Sequence, residues 1–179
     1  MALAALPGSP EKKLESRNAR KVLSLLAMRL KPLGFQRTKP TFFTRPGPCV
    51  IEFVHLHKYT FGPCFRVHLG VRVRSDDFIA AALNGPTSDG IEDPDCPGRR
   101  LQDFEFVTEE ASLEACAELL HQWVISSGLP WFASLAQPAA LLDTGSPLRQ
   151  EEKAALRLEL ENPTAVQVSA ATLHALNAA

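Results

Sequence analysis

The run FRVHLGVRV, residues 65–73, constrains this chain more than any other stretch. Phe65, Val67, Leu69, Val71 and Val73 alternate with Arg66, His68, Gly70 and Arg72. A period of two places the first set on a buried sheet face and the second on a polar one. A second strand-like run, Val50–His57, lies just before it, so the two are expected to form an antiparallel hairpin. With Thr60-Phe61-Gly62-Pro63 as the loop, Tyr59 pairs with Cys64, His57 with Arg66 and His55 with His68. On the other face Leu56 meets Val67 and Val54 meets Leu69. A slip of one residue would set Arg66 and His68 opposite buried positions, so the patterning selects this register. Glu52 breaks the pattern. It falls on the apolar face opposite Val71, which calls for a sheet margin or a bulge.

The flanking segments supply the rest of an α+β domain. Residues 10–32 read as a helix, with Ser9 as N-cap and Pro10 in its first position. Leu14, Val22, Leu25, Leu26, Leu30 and Leu33 keep helical spacing, and Pro32 and Gly34 end it. Thr41–Arg45 is a strand closed by Pro46-Gly47-Pro48, and Gln102–Val107 is a fourth. Ser75, followed by Asp76 and Asp77, predicts a short helix to about Leu83. Residues 84–100 form a long turn-rich loop. Thr108 caps a helix with its stripe at Leu113, Cys116, Ala117, Leu120, Trp123 and Val124, stopped by Gly128 and Pro130. Residues 131–142 are a short helix or irregular. Ser146-Pro147 opens another helix ending before Asn162-Pro163, and 165–178 is a last helical segment. The expected architecture is an antiparallel sheet of about four strands packed by helices, with a C-terminal helical extension. The organisation follows as a tail over 1–9, an α+β body over 10–137 and the extension over 138–179, hinged around 138–147.

Composition narrows the function classes. At 179 residues and 45% hydrophobic, the chain can bury a full core. A net charge of −1 gives no whole-molecule case for nucleic-acid or membrane binding. The N-terminus MALAALPGSPEKK lacks a basic n-region and a full apolar core, and no stretch approaches the ~20 apolar residues needed to span a bilayer. A cytoplasmic protein is expected. The cysteines Cys49, Cys64, Cys96 and Cys116 include no CxxC pair, and reduced thiols are expected. In the hairpin register Cys49 lies opposite residue 74, about 33 Å along the strand from Cys64, far beyond disulfide reach.

The polar hairpin face gathers three of the five histidines, His55, His57 and His68, with Arg66 and Arg72 among them. Two histidines at i, i+2 and a third across the strand can in principle bind zinc. Adjacent arginines disfavour a cation, however, and no carboxylate lies on these strand faces to orient the imidazoles. A solvated or helix-covered face is the plain structural reading. Arginine forks and histidine donors also suit carboxylates and phosphates, which makes the face a candidate surface for an anion or an acidic partner.

These same residues carry a family resemblance. The order LKPLGFQR (30–37), TFFTR (41–45), VHLHK (54–58) and FRVHLGV (65–71), with DCPGRRL (95–101) and LPWF (129–132), resembles the bacterial family called domain of unknown function 4304. The likeness covers about residues 14–135. It implies a small α+β domain with no established activity. Members of that family often carry Asn and Gln where His55, His57 and His68 stand, which implies a polar face that does not require a metal.

Other motifs have ordinary explanations. LLDTGS, 141–146, looks like the aspartic-protease signature, but that chemistry needs two carboxylates sharing a proton and there is no second copy. A turn fits Asp143-Thr144-Gly145-Ser146 better. Asp89, Glu92, Asp93 and Asp95 do not follow calcium-loop spacing. Cys96 stands beside Arg99 and Arg100, which would favour its thiolate, but no histidine is placed to activate it. There is no GxSxG, P-loop or GxGxxG. Trp123, Trp131 and Phe132 read as core.

The sequence therefore points to a non-catalytic binding protein, with a toxin-immunity protein as one concrete form. Its contacts are expected at His55, His57, Arg66, His68, Arg72 and Arg100. No cofactor, nucleic acid or membrane is expected. The alternative is a metal-binding protein or metal-dependent hydrolase using His55, His57 and His68. Nucleic-acid binding through Arg66, Arg72 and Arg74 is disfavoured because no exposed aromatics lie between them.

Overall fold

The computed structural model describes residues 6–60, 62–88 and 104–177. Ser9 caps the first helix, α1 (Pro10–Leu30), accepting from the Lys12 N–H at 3.1 Å, and a 3₁₀ turn over Lys31–Leu33 follows. Gly34 closes it in the left-handed region at φ 86°, where L side chains are strained. Five strands then build one antiparallel meander in chain order: β1 (Gln36–Lys39), β2 (Phe42–Pro46), β3 (Ile51–Lys58), β4 (Cys64–Arg72) and β5 (Phe104–Glu105). The fold class is the expected α+β, with five strands rather than four. The additional strand is the edge strand QRTK, which has no alternating apolar set to reveal it.

The β3–β4 register is the one the patterning selects. His55 pairs with His68, His57 with Arg66, Leu56 with Val67 and Val54 with Leu69. The Tyr59 N–H donates to the Cys64 carbonyl at 3.1 Å. Glu52 does face Val71 on the core side, without a bulge. The Arg45 side chain, directly across from it on β2, forms a buried ion pair with it. Arg45 also donates to the Leu33 carbonyl at 2.9 Å and lies over the Phe35 ring at 4.6 Å.

After β4 the chain does not form the expected helix over 75–83; it is irregular. The carbonyls of Asp76, Phe78 and Ala80 accept instead from the Arg72 guanidinium, so they do not serve helical i→i+4 bonds. Residues 84–88 then run along β4. Asn84 pairs with Val71 in both directions through its side-chain amide, and Thr87 bridges His68.

The helix α2 (Glu110–Trp123) starts one residue later than Thr108 would give, with Glu109 at the cap. It does not stop at Gly128. The chain passes through a π-turn over Val124–Gly128, closed by the Leu129 N–H on the Val124 carbonyl, into α3 (Leu129–Ser134). Pro130 lacks the N–H that a regular α-helix would use there. Three helices complete the chain: α4 (Pro138–Leu142), α5 (Gln150–Glu161) and α6 (Ala170–Leu176). The helix expected from Ser146-Pro147 begins only at Gln150, because the Glu152 side chain accepts from the Arg149 N–H at 2.8 Å and fixes the cap there. The segment DTGS is a turn, with the Gly145 N–H donating to the Asp143 carboxylate at 3.0 Å.

One hydrophobic cluster joins the sheet residues Val54, Leu56, Phe65 and Leu69 to Leu26 of α1, Leu120 of α2, Leu141 of α4 and Leu156 of α5. On the other sheet face a smaller cluster packs Ile51 and Phe53 against Ala175 and Leu176 of α6. The Phe53 ring occupies the place of a side chain at Gly70, its cross-strand partner. A Cβ there would lie 2.2 Å from the ring. Cys49 and Cys116 are buried free thiols, and Cys96 lies outside the described residues.

Candidate functional site

The polar hairpin face is divided along its length. At one end Ile51, Phe53, Gly70 and Arg72 lie under α6 and the irregular segment after β4. At the other end His55, Arg66 and His68 are half-buried and His57 is exposed. The structure thus brings four of the expected contact residues together and separates a fifth. Arg72 is not on the open face. It is 2% exposed, donating to Thr172 Oγ1 at 2.6 Å, to Ala80 O at 2.7 Å and to Asp76 O at 3.0 Å, with the Asp76 carboxylate 3.1 Å away. The alternation places it on this face, but it is covered by the irregular segment 4–8 residues on and by Thr172 of α6, a hundred positions later. Arg100 and the acids Asp89, Glu92, Asp93 and Asp95 lie outside the described residues.

Within the open half the side chains are stacked. The His55 ring lies between Phe42, 4.3 Å away, and His68, 5.9 Å away and nearly parallel at 25°. Burial, followed by the charges His68 and His57 would carry, pushes the His55 pKa down to about 4. Its Nδ1 is buried without a hydrogen-bond partner among the described residues. Arg66 donates from Nε to the Tyr59 hydroxyl at 2.8 Å and lies over that ring at 4.9 Å. Tyr59 also meets His57 edge-on at 5.8 Å. Phe42 and Tyr59 therefore belong to this site although the sequence reading did not select them. The signal for Tyr59 is its parity with His55 and His57. Phe42 becomes visible only once β2 is registered against β3, where it pairs with His55.

This geometry bears on what the site can hold. A tetrahedral zinc needs three nitrogens converging at about 2.0–2.1 Å. The parallel His55 and His68 rings stack rather than converge, and no group of three or more His, Cys, Asp or Glu among the described residues is arranged to hold a metal ion. The arrangement offers a planar cation on an aromatic plate, flanked by imidazoles. Guanidinium and imidazole donors of this kind are chemically able to hydrogen-bond carboxylate or phosphate groups. No helix among the described residues is long and apolar enough to cross a membrane. Comparisons with protein-family models, with curated proteins and with solved structures find no match to this chain.

Proposed function

We propose that this chain is a non-catalytic binding protein that receives an acidic protein partner, or another anionic ligand, on the open half of its β3–β4 face. One observation carries the reading: the chain seals one half of its own polar hairpin face with α6 and leaves His55, His57, Arg66 and His68 as a stacked patch with Tyr59. Arg66 supplies the charge, and Tyr59 orients its guanidinium. His57, the exposed member, supplies a donor at the rim. Arg100, outside the described residues, is proposed as a further contact on the strength of its charge. The resemblance to the domain of unknown function 4304 family belongs to the same proposal, as do a bacterial source, a cytoplasmic location and the toxin-immunity form of the function. Immunity proteins bind without catalysis, which suits a patch whose described residues are stacked imidazoles, a guanidinium and a phenol.

The experiment is affinity capture from the source organism with the wild-type chain and the charge-reversed variant H57E/R66E. Wild-type protein should retain a specific acidic partner that the variant loses, with both proteins folded by circular dichroism. Equal retention by both, or no specific partner for the wild type, would overturn the reading.

A further inference from the structure

We propose that a hollow on the opposite face of the sheet, between α1 and the β1–β2 turn, binds a small organic acid with an apolar body. The hollow has a volume of about 540 Å³, within the usual range for small-molecule sites. Its floor is apolar: Ala19 and Leu23 of α1 and Phe65 of β4 line it. Its rim is cationic, with Arg20, Arg37 and Lys58, and none of the described residues lining it is acidic.

The three cations are not equally committed to the fold. The Lys58 ammonium is bound to the Glu15 carboxylate, which also accepts from Lys12 at 2.9 Å. Two ammonium groups on one carboxylate leave an excess positive charge at that end. Arg37 uses Nε to clasp the Pro40 carbonyl at 3.0 Å, which holds the β1–β2 turn against the hollow. The exposed guanidinium of Arg20 makes no hydrogen bond or ion pair among the described residues. An apolar floor under an uncompensated cationic rim is complementary to one kind of molecule: an apolar chain or ring ending in a carboxylate or similar anion. A neutral analogue would gain the floor without the rim, and a cationic one would be repelled by it. The β3 residue Lys58 and the β4 residue Phe65 face this side of the hairpin, whereas His57 and Arg66 face the other. The site is therefore separate from the proposed partner surface.

Decanoate, decanol and decyltrimethylammonium are suitable probes, titrated into the full chain by calorimetry and followed by amide chemical shifts. Decanoate should bind saturably, about tenfold or more tighter than decanol, and decyltrimethylammonium should not compete. Its shifts should centre on Ala19, Leu23 and Phe65. The variant R20E/R37E should weaken decanoate by about tenfold and leave decanol within about threefold. The variant S16W, which places an indole at the mouth, should weaken both. H57E/R66E should bind decanoate as the wild type does, so that failure here is distinguishable from failure of the partner reading. No saturable decanoate binding at millimolar concentration, an R20E/R37E protein that binds decanoate unchanged, or shifts centred on the histidine face would each overturn the proposal.

Discussion

Glu52 and His55 sit three positions apart on β3, and each places polarity inside the sheet with a different consequence. Glu52 is 4% exposed on the core side, and its cross-strand neighbour Arg45 pairs with it. Burying that carboxylate is tolerated because a fixed cation accompanies it into the core. His55 has no such counter-charge. It lies between Phe42 and His68, and burial with its histidine neighbours holds its pKa at about 4 against an ordinary 6.5. The unfolded chain thus binds the proton more tightly than the folded one, so His55 contributes its stability above about pH 6.5. That contribution is lost as pH falls from 6.5 towards 4. Three carboxylates act at more acid pH, the exposed Glu11 among them, lowered by hydrogen bonds from its own backbone N–H and from Ser9. Burial raises the Glu15 pKa, but hydrogen bonds from Lys58 and Lys12 outweigh it and leave it lowered. Glu118 is lowered by Gln122 and Arg29. The interval from pH 6.5 to 5 therefore reads the lowered His55. Between pH 7 and pH 5 the wild type should lose about 1–2 kcal/mol more than H55Q, a figure already reduced for partial solvent screening. Urea unfolding at the two pH values measures this, and parallel losses in both proteins would refute it.

At the scale of elements, the irregular segment after β4 shows what local pattern can and cannot specify. Ser75-Asp76-Asp77 is a sound helix start by propensity, and no helix forms. Arg72 takes three carbonyls of that segment and also reaches Thr172 of α6. Ser169, the α6 cap, binds the Asp76 carbonyl at 2.6 Å from its own side. One guanidinium therefore fastens two segments to β4 and leaves Phe78 and Ile79, 43% and 77% exposed, pointing outward. Replacing Arg72 with Met should cost about 3–5 kcal/mol, since Asp76 and several carbonyls would remain buried without their donor. Lysine should recover little of it, because an ammonium cannot reproduce the planar fork. A urea midpoint within about 0.5 kcal/mol of wild type for R72M would contradict this account. The same contrast explains what was legible in the sequence. The hairpin register, the His55–His68 pairing, the α1 cap and the DTGS turn all follow from nearest neighbours and strict periodicity. The edge strand β1 has no apolar alternation to betray it. The π-turn depends on Pro130 within a longer helical run, and the burial of Arg72 depends on an irregular segment that propensity reads as helix and on Thr172, 100 positions away. In the candidate site, four of six expected residues are gathered as the alternation implied. Their division from Arg72 is a tertiary effect that a two-residue period does not encode.

For the molecule as a whole, the composition shift around 138–147 suggests an appended helical piece, yet the packing ties that piece to the body at two places. Leu141, Leu148 and Leu156 belong to the same hydrophobic cluster as α1, α2 and the sheet, and Leu176 lies 0% exposed in the cluster on the opposite face. Glu159 of α5 accepts from both the backbone N–H and the hydroxyl of Ser75 at 2.7 Å, which links the extension to the end of β4. The C-terminal third thus grips the sheet from both sides. An independent extension would unfold first and leave the body intact. An integral one should unfold with it in a single transition, because removing it exposes Ile51 and Phe53 and deprives Arg72 of Thr172. The chain's two tryptophans, Trp123 and Trp131, report on the body, whereas far-ultraviolet circular dichroism reports on all helices. The two signals should give coincident urea transitions. A chain ending at Gly145 should show no cooperative transition, since it lacks Leu148, Leu156 and Leu176 together, each worth about 2–5 kcal/mol when deleted from a packed core. If that truncated chain unfolds cooperatively with an undiminished midpoint, the extension is an appendage and the divided hairpin face is not maintained by the fold.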